Sequence, residues 1–170
     1  RTLMNCLGPL LNPVGAKRQL VGVYAAGLVP TLASALGALG AERALVVHGD
    51  DGLDEITTTA KTRATLLDQG QLTELVLDAG DLGLPRARLE DLRGGDAREN
   101  ARIVRSVLGG EPGPRRDIVL VNAAAALWVA GAASGLAEGL AVARRSVDSG
   151  AASARLASLV RATAEAQDDT

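Results

Sequence analysis

Four carboxylates crowd into residues 50–55 of the chain: Asp50, Asp51, Asp54 and Glu55. They follow an apolar, β-branched run at 43–48 that predicts a buried strand. Ligands of open α/β sheets bind beyond the carboxyl ends of the strands, and adjacent acids such as Asp54 and Glu55 offer the oxygen ligands that suit Mg²⁺ beside substrate phosphates. A solvated turn has the same composition, so the residue pattern alone leaves both interpretations open.

Other residue types that could do chemistry are scarce. His48 is the only histidine and Cys6 the only cysteine, so neither a closed zinc site nor a Ser-His-Asp triad can be argued. We interpret His48 as a satisfied packing residue at a strand end and Cys6 as a small buried hydrophobe. Lys17 and Arg18 could reach a phosphate or lie in solvent. No G-x-x-x-x-G-K-[ST] or G-x-G-x-x-G motif occurs, which disfavours ordinary NTPases and dinucleotide enzymes.

The elements that would position these residues begin with a strand–helix–strand unit. Residues 19–24 and 43–48 are predicted strands, and 28–39 between them is a helix with Pro30 near its start. Such a crossover implies parallel pairing. Strands at 61–67 and 71–77 follow, joined by a tight turn at 68–70, and a loop at 78–95 comes next.

The remainder is predicted to be helical. Asp96 caps a helix at 97–108, and Asp117 is expected to cap a buried one at 118–131. Further helices are predicted at 136–147 and 151–164. The fold class is therefore α/β, with a partial parallel sheet and a hairpin flanked by helices. This sheet is thin for so many helices, and the chain opens on Arg1 with a turn-rich run, so we expect it to be part of a longer protein.

Composition narrows the possible functions. Of the 170 residues 47% are hydrophobic and 22% charged, which is typical of a folded globular protein. The net charge of -2 and 1% aromatic content disfavour nucleic-acid binding. No apolar run reaches the roughly 18 residues of a membrane span, so no membrane partner is expected. The lone cysteine fits a cytoplasmic setting.

Several motifs resemble one enzyme family. Residues 1–13 read R-T-L-M-N-C-L-G-P-L-L-N-P, and 46–49 and 52–56 read V-V-H-G and G-L-D-E-I. G-G-D at 94–96, E-N-A at 99–101 and V-N-A-A-A-A-L at 121–127 follow in the same order. Together they resemble anthranilate phosphoribosyltransferase, specifically its C-terminal portion. The resemblance covers almost the whole chain.

The resemblance implies transfer of a 5-phosphoribosyl group from phosphoribosyl pyrophosphate to anthranilate, in tryptophan biosynthesis. By this likeness Asp54 and Glu55 are ligands of Mg²⁺, Gly8 lies beside the anthranilate channel and Asn5 lies near it. No side chain of this chain is assigned a catalytic role. The full-length enzyme is expected to be a homodimer. Residues 1–170 would be the C-terminal part of the α/β domain, without its first strands and without the N-terminal helical domain.

The same resemblance implies that much of the machinery lies elsewhere. The family's G-T-G-G-D phosphate loop, its N-x-S and K-H-x-N segments and its anthranilate-binding arginine would all precede Arg1, so the isolated chain is expected to be inactive. Two alternatives remain, a pyrimidine nucleoside phosphorylase-like enzyme and a non-catalytic relative that binds nucleic acid. The first should have a different loop near the amino end, and the second should have a basic face and lack the Asp54–Glu55 pair.

Overall fold

The computed structural model describes residues 8, 10, 11 and 14–168, with side chains up to Ala164. Four strands, five long α-helices and two short 3₁₀ helices, Ala79–Leu82 and Leu89–Leu92, have bounds within these residues. In chain order the strands and α-helices are β1 (Arg18–Gly22), α1 (Leu28–Ala38), β2 (Arg43–Gly49), β3 (Thr62–Asp68), β4 (Gln71–Leu77), α2 (Ala97–Leu108), α3 (Pro114–Ala130), α4 (Leu136–Asp148) and α5 (Ala151–Asp168). No helix in this part of the chain has the length and apolar character needed to cross a membrane.

The sheet has the strand order β1-β2-β3-β4 and is mixed. β1 and β2 run parallel, with Leu20 opposite Leu45, as the crossover through α1 predicts. β3 returns antiparallel to β2, and β4 is antiparallel to β3. The hairpin turn has positive φ at both central residues, 48° at Gln69 and 81° at Gly70, as two-residue hairpin turns of the primed type require. The predicted partial parallel sheet with a hairpin is confirmed.

Both faces of β2 are covered by helices, which explains its continuous apolar sequence. On one face α1 packs through Val29, Leu32 and Leu36 against Val46 and its neighbours. On the other face α3 packs against Leu45 and Val47. Of the helices after β4, α3 covers the sheet, whereas α2 and α4 pack mainly on α3 and α5 packs mainly on α4. The predicted flanking of the sheet by helices thus rests on α1 and α3.

Helix starts show where the sequence pattern succeeded and where it failed. The predicted cap of α2 is confirmed, since the Glu99 N–H donates to Asp96 Oδ1 at 2.8 Å. The predicted cap of α3 by Asp117 is wrong, because the helix begins earlier, at Pro114, after Gly113. A proline at the first helical position has its φ already set and loses no hydrogen bond there. Asp117 instead lies in the first turn, where a negative charge suits the helix dipole.

The segment that follows β2 turns back over the carboxyl end of β1. A Cβ placed on Gly22, the last residue of β1, would lie 1.5 Å from the carbonyl oxygen of Asp54. The backbone of Asp54 can therefore lie against this strand only because Gly22 has no side chain.

Replacing Gly22 by alanine should force the 53–55 segment away from β1. We expect Gly22→Ala to lower the free energy of unfolding by about 1–3 kcal/mol, the usual effect of overpacking. Gly27→Ala is the matched control, because nothing lies within 4 Å of its added Cβ, and its φ of -64° suits any residue. Chemical denaturation of the two variants tests this. A Gly22→Ala protein as stable as the unmodified one would contradict the close approach.

Candidate functional site

The acidic residues lie on the loop that joins β2 to β3, at the carboxyl edge of the parallel pair. Their environments differ. Asp50 is exposed and forms an ion pair with Arg63 of β3, with 2.8 Å between Nε and Oδ1. Asp54 is exposed as well, whereas Asp51 and Glu55 are partly buried. The predicted position at a strand end is confirmed, and the four carboxylates differ in exposure and in ion pairing.

Asp51 holds the loop in shape. Its Oδ1 accepts the Leu53 N–H at 3.1 Å, and its Oδ2 accepts the hydroxyls of Thr57, at 2.5 Å, and Thr59. Burial raises the pKa of Asp51, but these hydrogen bonds outweigh that effect and hold the pKa below its ordinary value of 3.8. Gly49 leaves room for this carboxylate, since a Cβ there would lie 2.4 Å from Oδ1. The run of threonines at 57–59 was the sequence signal for this role.

Asn122 fastens the loop to α3, the helix that covers the sheet. Its Oδ1 accepts the N–H of Ile56 at 2.9 Å, and its Nδ2 lies 2.8 Å from the carbonyl of the same residue. The same Nδ2 also lies 2.9 Å from the carbonyl of Ile118 and 3.2 Å from Oε2 of Glu55. In the sequence this asparagine stands only as part of the V-N-A-A-A-A-L motif at 121–127. An amide within an otherwise apolar helical segment was the available signal.

Asp54 and Glu55 concentrate negative charge that no ion pair within the described part of the chain neutralises. Burial raises the pKa of Glu55, and the nearby carboxylates of Asp54 and Asp51 raise it further. Among the described residues no ion pair involves Asp54 or Glu55. Two carboxylates without a basic partner form a donor set suited to a hard divalent cation, so these residues fit Mg²⁺.

The described side chains supply only part of such a coordination shell. No group of three or more histidine, cysteine, aspartate or glutamate side chains converges within the part of the chain that the structure describes. Mg²⁺ commonly uses one or two carboxylates and takes its other ligands from water and substrate phosphates. The pair therefore matches a site that is shared with a phosphate-bearing ligand.

The other residues singled out in the sequence have different outcomes. His48 is buried, and its Nδ1–H donates to the carbonyl of Val23 at 2.7 Å, which confirms its interpretation as a satisfied packing residue. Gly8 is exposed, with nothing within 4 Å of a Cβ added there. Its position beside a substrate channel stays a prediction. Asn5, and with it Cys6, lies outside the described residues.

Lys17 and Arg18 contact the ends of helices. Lys17 Nζ donates to the carbonyl of Gly40, just after α1, at 3.1 Å. The guanidinium of Arg18 donates to the carbonyl of Ala130, the last residue of α3. Cations at the carboxyl end of a helix satisfy its free carbonyls and suit its dipole. The structure thus gives both residues partners within the fold, which is neither the phosphate contact nor the solvent position that the sequence left open.

Four clefts stand out on the described surface, with volumes of about 660, 530, 420 and 160 Å³, and none of these four includes Asp54 or Glu55. The first lies between the α2–α3 connection and the turn at 89–92, and the third is an apolar groove between α2 and α3. The carboxylate pair lies outside these clefts.

Replacing Asp51 by asparagine should loosen the loop. We expect Asp51→Asn to lower the free energy of unfolding at pH 7 by about 1 kcal/mol, because charge-assisted hydrogen bonds are lost. Since the pKa of Asp51 is depressed in the folded chain, its contribution is present above 3.8 and disappears as the pH falls through the folded pKa. The deficit should therefore shrink in acid. Denaturation of this variant and of an Asp50→Asn control from pH 2 to 7 tests the prediction, and a deficit independent of pH would contradict it.

Comparison with known proteins places the chain in a family. The model of the glycosyl transferase family, a/b domain, matches residues 1–153. The chain is 55% identical over 160 residues to anthranilate phosphoribosyltransferase from Moorella thermoacetica and 52% identical over 163 residues to that from Syntrophotalea carbinolica. The matched regions are 94% and 96% of this chain but 47% and 46% of the relatives. The chain thus spans about half the length of these curated relatives.

Solved structures show the same likeness. The structure of anthranilate phosphoribosyltransferase from Thermus thermophilus matches with a TM-score of 0.81 and 42% identity, over 89% of this chain and 45% of that one. The enzyme from Saccharomyces cerevisiae in complex with PRPP and Mg matches with a TM-score of 0.80 and 32% identity, over 89% of this chain and 44% of that one. The resemblance to anthranilate phosphoribosyltransferase is confirmed, and the chain belongs to the glycosyl transferase family, whose a/b domain its residues 1–153 match.

Proposed function

We propose that this chain is the C-terminal part of the α/β domain of an anthranilate phosphoribosyltransferase. The complete enzyme would transfer a 5-phosphoribosyl group from phosphoribosyl pyrophosphate to the amine of anthranilate. The products would be N-(5-phosphoribosyl)anthranilate and pyrophosphate, in tryptophan biosynthesis. The observation that carries the proposal is the Asp54–Glu55 pair at the carboxyl edge of β2, which no described basic side chain neutralises, within a sequence 55% identical over 160 residues to an enzyme of that name.

The proposed metal is Mg²⁺, held by Asp54 and Glu55. The support is the donor set itself, together with a yeast relative solved in complex with PRPP and Mg. When bound, the ion would neutralise charge on the diphosphate as it leaves. The Asp51 hydrogen bonds and the Asn122 amide would hold the loop that carries the two carboxylates in place while the diphosphate departs.

The chain's own residues favour catalysis by positioning and charge. His48 Nδ1 is engaged by the carbonyl of Val23, and the ring is buried, so it is poorly placed to act as a base on a substrate. Departure of a diphosphate from a ribose carbon needs charge neutralisation and an aligned amine more than it needs a strong nucleophile. A rigid loop that carries two carboxylates meets the first of these needs.

The rest of the active site would come from the upstream half. We propose that this half supplies the phosphate loop, most of the anthranilate contacts and the helical domain of a homodimer, and that the complete enzyme is cytoplasmic. Gly8 and Asn5 would border anthranilate. The pyrimidine nucleoside phosphorylase and nucleic-acid alternatives have less support, because the curated relatives carry the transferase name and the net charge is -2.

The isolated chain should have no measurable transferase activity, because half of the diphosphate site would be missing. Purified chain is mixed with phosphoribosyl pyrophosphate, Mg²⁺ and anthranilate, and consumption of the fluorescent anthranilate is followed. Turnover should appear when the upstream half is supplied. Turnover by the chain alone would contradict the proposed division of the site.

In the complete enzyme Asp54→Asn should raise the Mg²⁺ concentration that gives half-maximal activity by about 10-fold or more, because a metal ligand is lost. Even substitutions of residues that only orient metal ligands commonly lower metal affinity by about 10-fold or more. Asp50→Asn is the matched control on the same loop, because Asp50 is paired with Arg63 on the surface. Initial rates over a range of Mg²⁺ concentrations, and after treatment with a chelator, test the prediction. An unchanged Mg²⁺ dependence in Asp54→Asn would exclude the ligand role.

A further inference from the structure

We propose that Asn122 is a positioning residue that sets the metal affinity of the site by holding Glu55 beside Asp54. The inference rests on the proposed function, in which these two carboxylates hold Mg²⁺. Asn122 itself touches neither substrate nor metal in this account. It acts from α3, through the backbone of Ile56 and through the Glu55 carboxylate.

The geometry gives Asn122 control over the residue that follows Glu55. Both backbone groups of Ile56, the N–H and the C=O, are bonded to the one amide, at 2.9 and 2.8 Å. This pair of bonds fixes the peptide plane on either side of Ile56 and thereby the direction in which the neighbouring Glu55 side chain leaves the backbone. Ile56 is itself 1% exposed, so its two backbone groups are shielded from water.

The contact with the Glu55 carboxylate is the weakest of the set. An amide nitrogen carries two hydrogens, but Nδ2 of Asn122 has three acceptors within 3.2 Å. The carbonyls of Ile56 and Ile118 are the closer two, and Glu55 Oε2 is the farthest. The carboxylate is therefore oriented without being fully engaged, and its lone pairs remain available for a cation.

Asp54 is held by a different element. Its backbone lies against the carboxyl end of β1, so close to Gly22 that a Cβ would not fit there. The two adjacent residues are thus held by different elements, the backbone of Asp54 by the end of β1 and the Glu55 carboxylate by α3. If Asn122 is removed, only the Glu55 side of the pair should lose its support, which makes the effect specific.

A purely structural role has a matched comparison in the same chain. Asn100 on α2 makes the same pair of bonds to Gly95, with the Gly95 N–H to Oδ1 distance 2.9 Å and the Nδ2 to carbonyl oxygen distance 3.0 Å. It fastens the loop before α2, and its side-chain hydrogen bonds within the described part of the chain go to Gly95 and not to the acidic pair. Asn100→Ala and Asn122→Ala therefore each remove an amide that bridges the N–H and C=O of one residue, exposed at Asn100 and half-buried at Asn122, and only Asn122 reaches Glu55.

The test is direct binding of Mn²⁺, as a probe for Mg²⁺, to the full-length protein in the presence of pyrophosphate, measured by the electron paramagnetic resonance of free Mn²⁺. Asn122→Ala should weaken Mn²⁺ binding by about 10-fold to 100-fold, the usual range for residues that orient metal ligands. Asn100→Ala should leave it within about twofold, because distant sites act independently. Thermal unfolding measured in parallel should show both variants folded and less stable.

A double-variant cycle asks whether Asn122 acts through Glu55. In a Glu55→Gln background, Asn122→Ala should change Mn²⁺ affinity by less than about twofold, since the group that it positions is gone. An Asn122→Ala protein that binds Mn²⁺ as the unmodified one does would overturn the proposal. So would an undiminished effect of Asn122→Ala in the Glu55→Gln background.

Two further variants keep the outcome clear. Asn122→Asp preserves size and the acceptor for the Ile56 N–H, so it can be used if Asn122→Ala does not fold. Unchanged or tighter Mn²⁺ binding by Asn122→Asp would also overturn the proposal.

The combined Asp54→Asn and Glu55→Gln protein tests the proposed metal site. Unmodified affinity there would show that the metal role itself is wrong, whereas lost affinity there with normal affinity in Asn122→Ala would reject only the role of Asn122.

Discussion

The confinement of residues 54–56 between the end of β1 and the middle of α3 is the constraint on which the site depends. On one side the Asp54 carbonyl lies so close to Gly22 that no side chain would fit at that position. On the other side the Asn122 amide bonds both backbone groups of Ile56. Because the segment is held by both elements, the backbone that carries its two carboxylates has a fixed place at the carboxyl edge of the parallel strands, where ligands of such sheets bind.

That confinement holds only if α3 keeps its position on the sheet. The helix packs on β1 and β2 through an apolar face that includes Leu120, Val121 and Ala124. Its carboxyl end is fixed by two arginines, because Arg18 of β1 donates to the Ala130 carbonyl and Arg43 of β2 donates to the Trp128 carbonyl at 3.2 Å. The Arg43 guanidinium also lies 5.5 Å from the centre of the Trp128 ring. The parallel strand pair thus positions α3, and with it Asn122, relative to the loop.

Much of this architecture could be predicted from the sequence because it depends on local signals. Apolar and β-branched runs and turn residues located the strands, the Asp96 cap located α2, and the position of Asp54 and Glu55 after an apolar run placed them at a strand end. The start of α3 was misjudged because Asp117 competes with Pro114 as a start signal, and proline takes precedence through its fixed φ. The bonds of Asn122 and the contact at Gly22 join residues far apart in sequence, so no local pattern could reveal them.

The central claim is that Asp54 and Glu55 bind a divalent ion beside a diphosphate, and crystals of the full-length protein soaked with Mn²⁺ and pyrophosphate test it most directly. The account predicts an anomalous scattering peak within coordination distance of at least one of the two carboxylates, about 2–2.5 Å, with pyrophosphate oxygens completing the shell. A well-occupied Mn²⁺–pyrophosphate peak elsewhere, with both carboxylates making only solvent contacts, would contradict it.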